Sequence, residues 1–131
     1  MTLKTLLKVT VATTLCVASI ATFAATATPG YRIFNQSSGM SAATYTTTNN
    51  PTGDCTGVTF PTPIDSNDNG TLTITSFTPG SICSTQYKSS YTGGTCLVTI
   101  SYGVSGAITM YATPLSAACS AINGNTAVVL Y

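Results

Sequence analysis

Short runs of alternating apolar and polar residues are the feature of this sequence that most restricts its fold. In residues 71–75, Leu72 and Ile74 alternate with three threonines. In residues 96–102, a cysteine, a valine, an isoleucine and a tyrosine occupy every second position. A period of two residues places alternate side chains on opposite faces of a β-strand, so both runs are predicted to be strands with one face toward a core.

Turn-forming residues divide the rest of the chain into segments of similar length. Asn123-Gly124 is a strong signal for a tight hairpin, and Pro79-Gly80 and residues 103–106 are also typical of turns. Seven or eight short strands separated in this way, without an amphipathic helix of useful length, predict an all-β fold. We expect an antiparallel β-sandwich, Ig-like or related.

The individual strands follow from the same signals, and the segments between them are predicted to be loops. Residues 61–70 and 84–94 are mostly polar or turn-forming and are assigned to loops. Residues 115–121 could form either a short helical turn or part of a strand. The predicted strands cover residues 31–35, 40–48, 55–60, 71–75, 96–102, 107–112, 119–122 and 125–131.

The first two dozen residues have the order of a secretory signal peptide. Lys4 and Lys8 precede an apolar run over residues 9–23, and Ala24 ends a small-x-small pattern at which a signal peptidase would cut. A second suitable cut follows Ala27. We therefore expect residues 1–24 to be removed on export and residues 25–131 to form a single β-sandwich domain.

Four of the five cysteines belong to the predicted mature domain, because Cys16 lies in the signal segment. An even number of cysteines in an exported domain predicts disulfides, here two, with three possible pairings. Zinc is disfavoured because no two cysteines have the C-x-x-C spacing. The pairing of sequence neighbours is favoured, since it would close adjacent strands: Cys55–Cys83 and Cys96–Cys119.

The predicted mature domain carries few charges. Lys4 and Lys8 leave with the signal segment, so two basic residues remain against three acidic ones, a net charge of −1. One arginine and one lysine cannot form a phosphate-binding basic patch, so nucleic acid and anionic membranes are excluded as partners, and membrane insertion of this domain is not expected. The charged residues are Arg32, Lys88, Asp54, Asp65 and Asp68.

The residues that usually carry catalysis are missing from residues 25–131. This part has no histidine, glutamate or tryptophan. Without histidine the common activation of a serine or cysteine nucleophile is not possible, and the three aspartates lie in or beside turn sequence. We therefore predict that the protein is not an enzyme and holds no cofactor. The missing tryptophan also argues against an aromatic platform for sugars.

One loop matches the start of a calcium-binding pattern. Residues 65–70 place oxygen-bearing side chains, Asp65, Asn67 and Asn69, at the first, third and fifth positions before a glycine. The twelfth position is Ser76 rather than a glutamate, and the residues that follow are predicted to be a strand. The loop is therefore predicted to be a turn without a metal, with these three residues as a weak calcium candidate.

Three threonines also stand at alternate positions. Thr71, Thr73 and Thr75 resemble one rank of the threonine arrays of ice-binding proteins. Neighbouring ranks at a fixed repeat are absent from the sequence. We therefore predict that these threonines are ordinary solvent-facing residues of a strand.

Tyrosines are the main material for contacts with a partner. A tyrosine combines a large apolar ring with a polar tip, which suits binding to protein or sugar. Tyr87 and Tyr91 fall in the polar segment of residues 84–94, so we expect them to be exposed. Together with Lys88 they form a predicted contact loop.

These observations favour a function carried by the surface, because hydroxyl side chains in place of charges give little repulsion against association. We predict an exported, non-enzymatic structural, adhesive or surface-associated component, located outside a bacterial cell, on its surface or in its periplasm. Its partner would be another protein or a copy of itself, and residues 127–131 would either exchange between subunits or lie buried within the domain. The alternative is a soluble binding module of the inhibitor or immunity type that uses residues 84–94. A secreted toxin or pore-former is the third hypothesis.

Overall fold

The structure, a computed structural model, describes residues 30–131. The predicted signal segment, its two cut positions and Cys16 lie outside the described residues. Regular structure in residues 30–131 is almost entirely β, apart from one 3₁₀ turn at Gly39–Ser41. This part of the chain contains no helix long and apolar enough to cross a membrane.

Eleven strands run through the described residues, more than the seven or eight expected, because β3 and β7 were not predicted as strands and the predicted strand over residues 71–75 is divided into two. In chain order they are β1 (Arg32–Asn35), β2 (Tyr45–Thr47), β3 (Thr52–Gly53), β4 (Val58–Thr59), β5 (Asn69–Thr71), β6 (Thr73–Ile74), β7 (Ile82–Ser89), β8 (Thr95–Tyr102), β9 (Ile108–Pro114), β10 (Cys119–Ile122) and β11 (Ala127–Leu130).

The smaller of the two main sheets has the strand order β10-β11-β1-β5. Its central pair, β1 and β11, is parallel, with Arg32 opposite Ala127 and Asn35 opposite Leu130. The flanking pairs are antiparallel. The first and last strands of the described chain are therefore hydrogen-bonded neighbours inside one sheet.

The larger sheet is built on an antiparallel meander of β7, β8 and β9. Both β2 and β3 pair with the other side of β7, which gives this sheet five strands. A separate two-stranded ribbon is formed by β4 and β6. The predicted all-β sandwich of antiparallel sheets packed together is confirmed, with the one parallel pair in the smaller sheet as an addition.

The core contains the residues that the alternation identified. Val98 and Ile100 of β8 are fully buried, and the side chains of Leu72 and Ile74 are each only 1% exposed. Removal of these apolar side chains from water is the main driving force for packing the sheets together. All four residues of β11 are buried as well, so the structure places residues 127–130 within the domain.

Two disulfides cross-link the sandwich, in the pairing favoured from sequence. Cys55–Cys83, with Cα atoms 4.9 Å apart, holds the segment after β3 against β7. Cys96–Cys119, with Cα atoms 6.3 Å apart, joins β8 to β10 and so connects the two sheets. Disulfides of this kind are typical of proteins in oxidising compartments outside the cytosol.

The prediction of a loop over residues 84–94 is wrong for most of that segment, because β7 extends over Ile82–Ser89 inside the larger sheet. Its inward positions are buried but include the polar Thr85 and Ser89. Polar side chains therefore occupy both faces of this strand. β7 therefore lacks the alternation of apolar and polar residues from which β8 was predicted.

Other predicted strands are shorter where the chain turns early. The strand expected over residues 40–48 starts only at Tyr45, because the 3₁₀ turn takes up Gly39–Ser41. Residues 115–121 form no helical turn, and β10 begins at Cys119.

The alternating run of residues 71–75 is divided between two sheets. Thr71 belongs to β5 in the smaller sheet, whereas Thr73 belongs to β6 in the ribbon, and the buried Leu72 lies between them. The three threonines are exposed, as predicted. They do not form one continuous rank, because the strand that would carry them is broken.

Candidate functional site

The outward side of the larger sheet, called the outer face below, is a regular surface made largely of hydroxyl and amide side chains. Successive residues of a strand point to opposite sides, so the residues that alternate with the core of β2, β3, β7, β8 and β9 share this face. The outer face comprises Thr46, Thr52, Ile82, Ser84, Gln86, Lys88, Thr95, Leu97, Thr99, Ser101, Thr109, Tyr111 and Thr113.

The strand register arranges these side chains in rows across the sheet. Neighbouring strands in a sheet lie about 4.8 Å apart, so each member of a row is next to the following one. The two middle rows are Thr52, Ser84, Thr99 and Tyr111, and then Gln86, Leu97 and Thr113.

Hydrogen bonds between neighbours orient part of the outer face. The Oγ atom of Ser84 and the Oγ1 atom of Thr99 are 2.8 Å apart. The hydroxyl of Thr48 donates to Oε1 of Gln86 at 3.1 Å. Lys88 is the one member of the outer face that carries a charge, and it lies toward one end of β7. The face is therefore polar but almost electrically neutral.

A groove opens at the edge of the outer face. Between β2 and β3 the chain has four residues, 48–51, where β7 has only two, Thr85 and Gln86. Because of this excess, the chain leaves the edge of β7 and then returns to it. The space left there has a volume of about 180 Å³. It is lined by Asn49, Asn50, Thr52, Ser84, Thr85, Gln86 and Leu97.

The predicted contact loop is not assembled as expected. Tyr87 is fully buried, and its hydroxyl donates to the carbonyl oxygen of Pro61 at 2.6 Å. Lys88 faces the opposite side of β7 and is exposed. Tyr91 lies beyond the end of β7 and is 59% exposed. The prediction that Tyr87 is exposed is wrong, because the alternation of β7 turns its ring into the core.

The three residues of the weak calcium candidate have neighbours of their own. Asp65 accepts a hydrogen bond from the Thr44 hydroxyl at 3.0 Å, and Asn69 accepts one from the Arg32 guanidinium at 3.4 Å. Asn67 occupies the left-handed region with φ of 57°, as is common for asparagine in a tight turn. Residues 30–131 contain no cluster of three or more histidine, cysteine or acidic residues that could hold a metal ion.

The glycine of this pattern has a role in packing. A Cβ atom at Gly70 would overlap the ring of Pro61. At the same position β5 pairs with Ile33 of β1. The close approach of the loop to β5 therefore accounts for the glycine without a metal.

The titratable groups with shifted pKa values are not tuned to neutral pH. A hydrogen bond from Ser81 lowers the pKa of the exposed Asp54 carboxyl. Burial raises the pKa of the Tyr87 phenol, and it also raises that of Tyr45, where a hydrogen bond with Ser89 opposes it. Each shift moves the pKa of the group further from neutral pH, and a group with such a pKa exchanges protons inefficiently at neutral pH.

The protein is thus a disulfide-linked all-β sandwich with a neutral polar face. A comparison with models of protein families, with curated proteins and with solved structures found no match for the chain.

The outer face was not predicted from the sequence, although a signal for it exists. Ser84, Gln86 and Lys88 stand at alternate positions, which is the outward half of a strand pattern. The inward half contains a threonine and a serine, so only the pairing with β8 reveals the strand.

Proposed function

We propose that the protein is an exported, non-enzymatic component of the cell surface that acts by adhesion through its outer face. The observation that carries this proposal is the ordered set of hydroxyl and amide side chains across neighbouring strands of the larger sheet. The two disulfides support an exported domain that keeps its shape outside the cytosol.

The neutrality of the outer face suits adhesion to a neutral polar partner. Hydroxyl and amide groups can both donate and accept hydrogen bonds, and their removal from water costs much less than that of a charge. Contacts of this kind depend weakly on salt, because no ion pair has to be screened. We therefore expect attachment to persist at high ionic strength.

The alternative of a soluble binding module loses the contact region predicted for it. Residues 84–89 belong to a strand, and Tyr87 is in the core. Of the predicted contact residues only Tyr91 and Lys88 remain exposed, and they do not form one loop.

The location part of the proposal can be tested on intact producing cells. Antibodies against the folded protein should label these cells, while an antibody against a cytosolic protein gives no signal and so excludes leakage. Protein found only in the medium, or only after the cells are opened, would overturn a role at the cell surface.

The adhesion part can be tested with charges placed in the middle of the outer face. Thr99→Lys and Thr113→Lys should weaken attachment of the purified, oxidised protein to producing cells by at least about tenfold, because a lysine would have to be desolvated at the contact. The matched control is Thr73→Lys in β6, an exposed threonine away from this face. Equal attachment of all three variants would contradict the proposal.

A further inference from the structure

We infer that the groove beside β7 binds one neutral sugar unit of a glycan. This inference rests on the proposed function and names the chemistry of the partner to which the outer face would attach. It is carried by the groove's size, by its uncharged lining and by the amide groups that the fold leaves without protein partners.

The shape of the groove follows from the pairing of both β2 and β3 with the same edge of β7. Thr48 is still bonded to β7, since its backbone N–H donates to the carbonyl oxygen of Gln86 at 2.9 Å. Pairing resumes at Thr52, which lies opposite Ser84. The residues between them are attached to β7 at both ends, so the wall that they form lies beside the outer face at the edge of β7.

The amide groups around the groove are available to a ligand. Within the described residues, the side chains of Asn49 and Asn50 are exposed and make no hydrogen bond to protein. Gln86 has its Oε1 atom engaged by Thr48, which leaves its Nε2 donors free. A sugar hydroxyl is at once donor and acceptor, so several amides on one concave surface match it well.

The volume and the charge of the groove narrow the ligand class. About 180 Å³ is well below the roughly 300–1,000 Å³ of sites for drug-sized ligands, so one ring-sized unit fits and a longer segment would extend along the outer face. No lining residue is charged, which favours a neutral sugar over a uronic acid, a phosphate or a cation. Leu97 supplies an apolar surface for the C–H side of the ring, so recognition does not require a tryptophan platform.

The test is a titration of the oxidised, isotope-labelled protein with the methyl glycosides of glucose, galactose, mannose and N-acetylglucosamine, followed by NMR. At least one of them should shift the signals of Asn49, Asn50, Gln86 and Leu97 selectively. Gln86→Met, which keeps the length of the side chain but removes its amide, should weaken this binding by about tenfold or more. The control is Thr73→Ala, an exposed threonine of β6 that does not belong to the outer face, which should bind as the unaltered protein does.

The outcomes separate this inference from the proposed function. The methyl glycoside of glucuronic acid is titrated in the same way as a charged comparison. No shifts with any of the four neutral glycosides, or shifts with the glucuronic acid glycoside alone, would overturn the neutral sugar site. Attachment to cells that persists unchanged in Gln86→Met would also remove the site from the adhesive contact while leaving adhesion in place. Conversely, sugar binding by a protein that does not attach to cells would support the site and overturn adhesion. Thermal unfolding of each variant confirms that the fold is retained.

Discussion

Asn35 uses every hydrogen-bonding position of its buried amide. Its Nδ2 atom donates to the carbonyl oxygens of Ala43 at 2.6 Å and Ile64 at 3.0 Å. Its Oδ1 atom accepts from the backbone N–H of Ser37 at 3.0 Å and from the hydroxyl of the same residue at 2.6 Å. The side chain therefore ties the end of β1 to two loops, and its Asn-x-Ser sequon is closed to modification in the folded protein because the residue is only 1% exposed.

Asn35→Asp is expected to lower the free energy of unfolding at neutral pH by at least about 3 kcal/mol, because a carboxylate cannot donate to two carbonyl oxygens. Burial would raise the folded-state pKa of the new carboxyl above its unfolded value, so the loss should grow as the pH rises between these two values. Chemical denaturation at about pH 4 and about pH 7 measures both effects. The exposed Asn69→Asp should change stability by no more than about 0.5 kcal/mol. An equal loss in both variants would contradict this role of Asn35.

Thr85 presents the opposite case, a buried hydroxyl without a partner. Its side chain is 3% exposed, and Oγ1 is the buried side-chain polar atom of the described residues that lacks a hydrogen bond. Thr85→Val should therefore raise the free energy of unfolding by about 1 kcal/mol, since the cost of removing the hydroxyl from water disappears. Thr99→Val, which removes a paired hydroxyl on the outer face, should give no such gain in the same denaturation experiment.

At the scale of elements, β7 decides the form of the larger sheet. The strand pairs with β8 over its length on one side and with both β2 and β3 on the other. The second of these pairings depends on Gly53, which has φ of 95° and faces β7 so closely that a Cβ atom would overlap the carbonyl oxygen of Ile82. The groove exists because β2 and β3 reach β7 separately.

Gly53→Ala should be clearly more destabilising than the same substitution at a glycine whose only constraint is a positive φ. Gly106 has φ of 86° and open space around it, so Gly106→Ala should cost about 1–2 kcal/mol. Gly53→Ala adds the overlap with Ile82 and should cost at least about 2 kcal/mol more. Urea unfolding of the two variants gives the difference directly. Similar losses would mean that β3 can move away from β7 at little cost.

At the scale of the whole molecule, the two disulfides differ in what they connect. Cys55–Cys83 fixes the segment after β3 to β7 of the same sheet. Cys96–Cys119 links a strand of one sheet to a strand of the other, and both of its cysteines are buried. The second bridge therefore fixes how the sheets are placed relative to each other.

Replacing either cysteine pair by alanine should remove about 3.5 kcal/mol, because the closed loops of 28 and 23 residues differ little in entropy. The Cys96/Cys119 variant should lose more in total, since it also leaves space between the sheets. Guanidinium unfolding of both variants under non-reducing conditions measures the two losses. A larger loss for the Cys55/Cys83 variant would contradict the assignment of Cys96–Cys119 as the link between sheets.

One of three possible disulfide pairings was favoured from the sequence, and the structure decided it. The sequence by itself determined the all-β class, the strands β8 and β9, and the burial of Leu72 and Ile74. These follow from local alternation and spacing, in which each residue is read against its near neighbours. Only the tertiary structure decided that β7 is a strand, because its polar inward residues are identified by their pairing with β8. The parallel contact of β1 with β11, the outer face and the groove likewise depend on residues far apart in the chain, whose pairing no local pattern specifies.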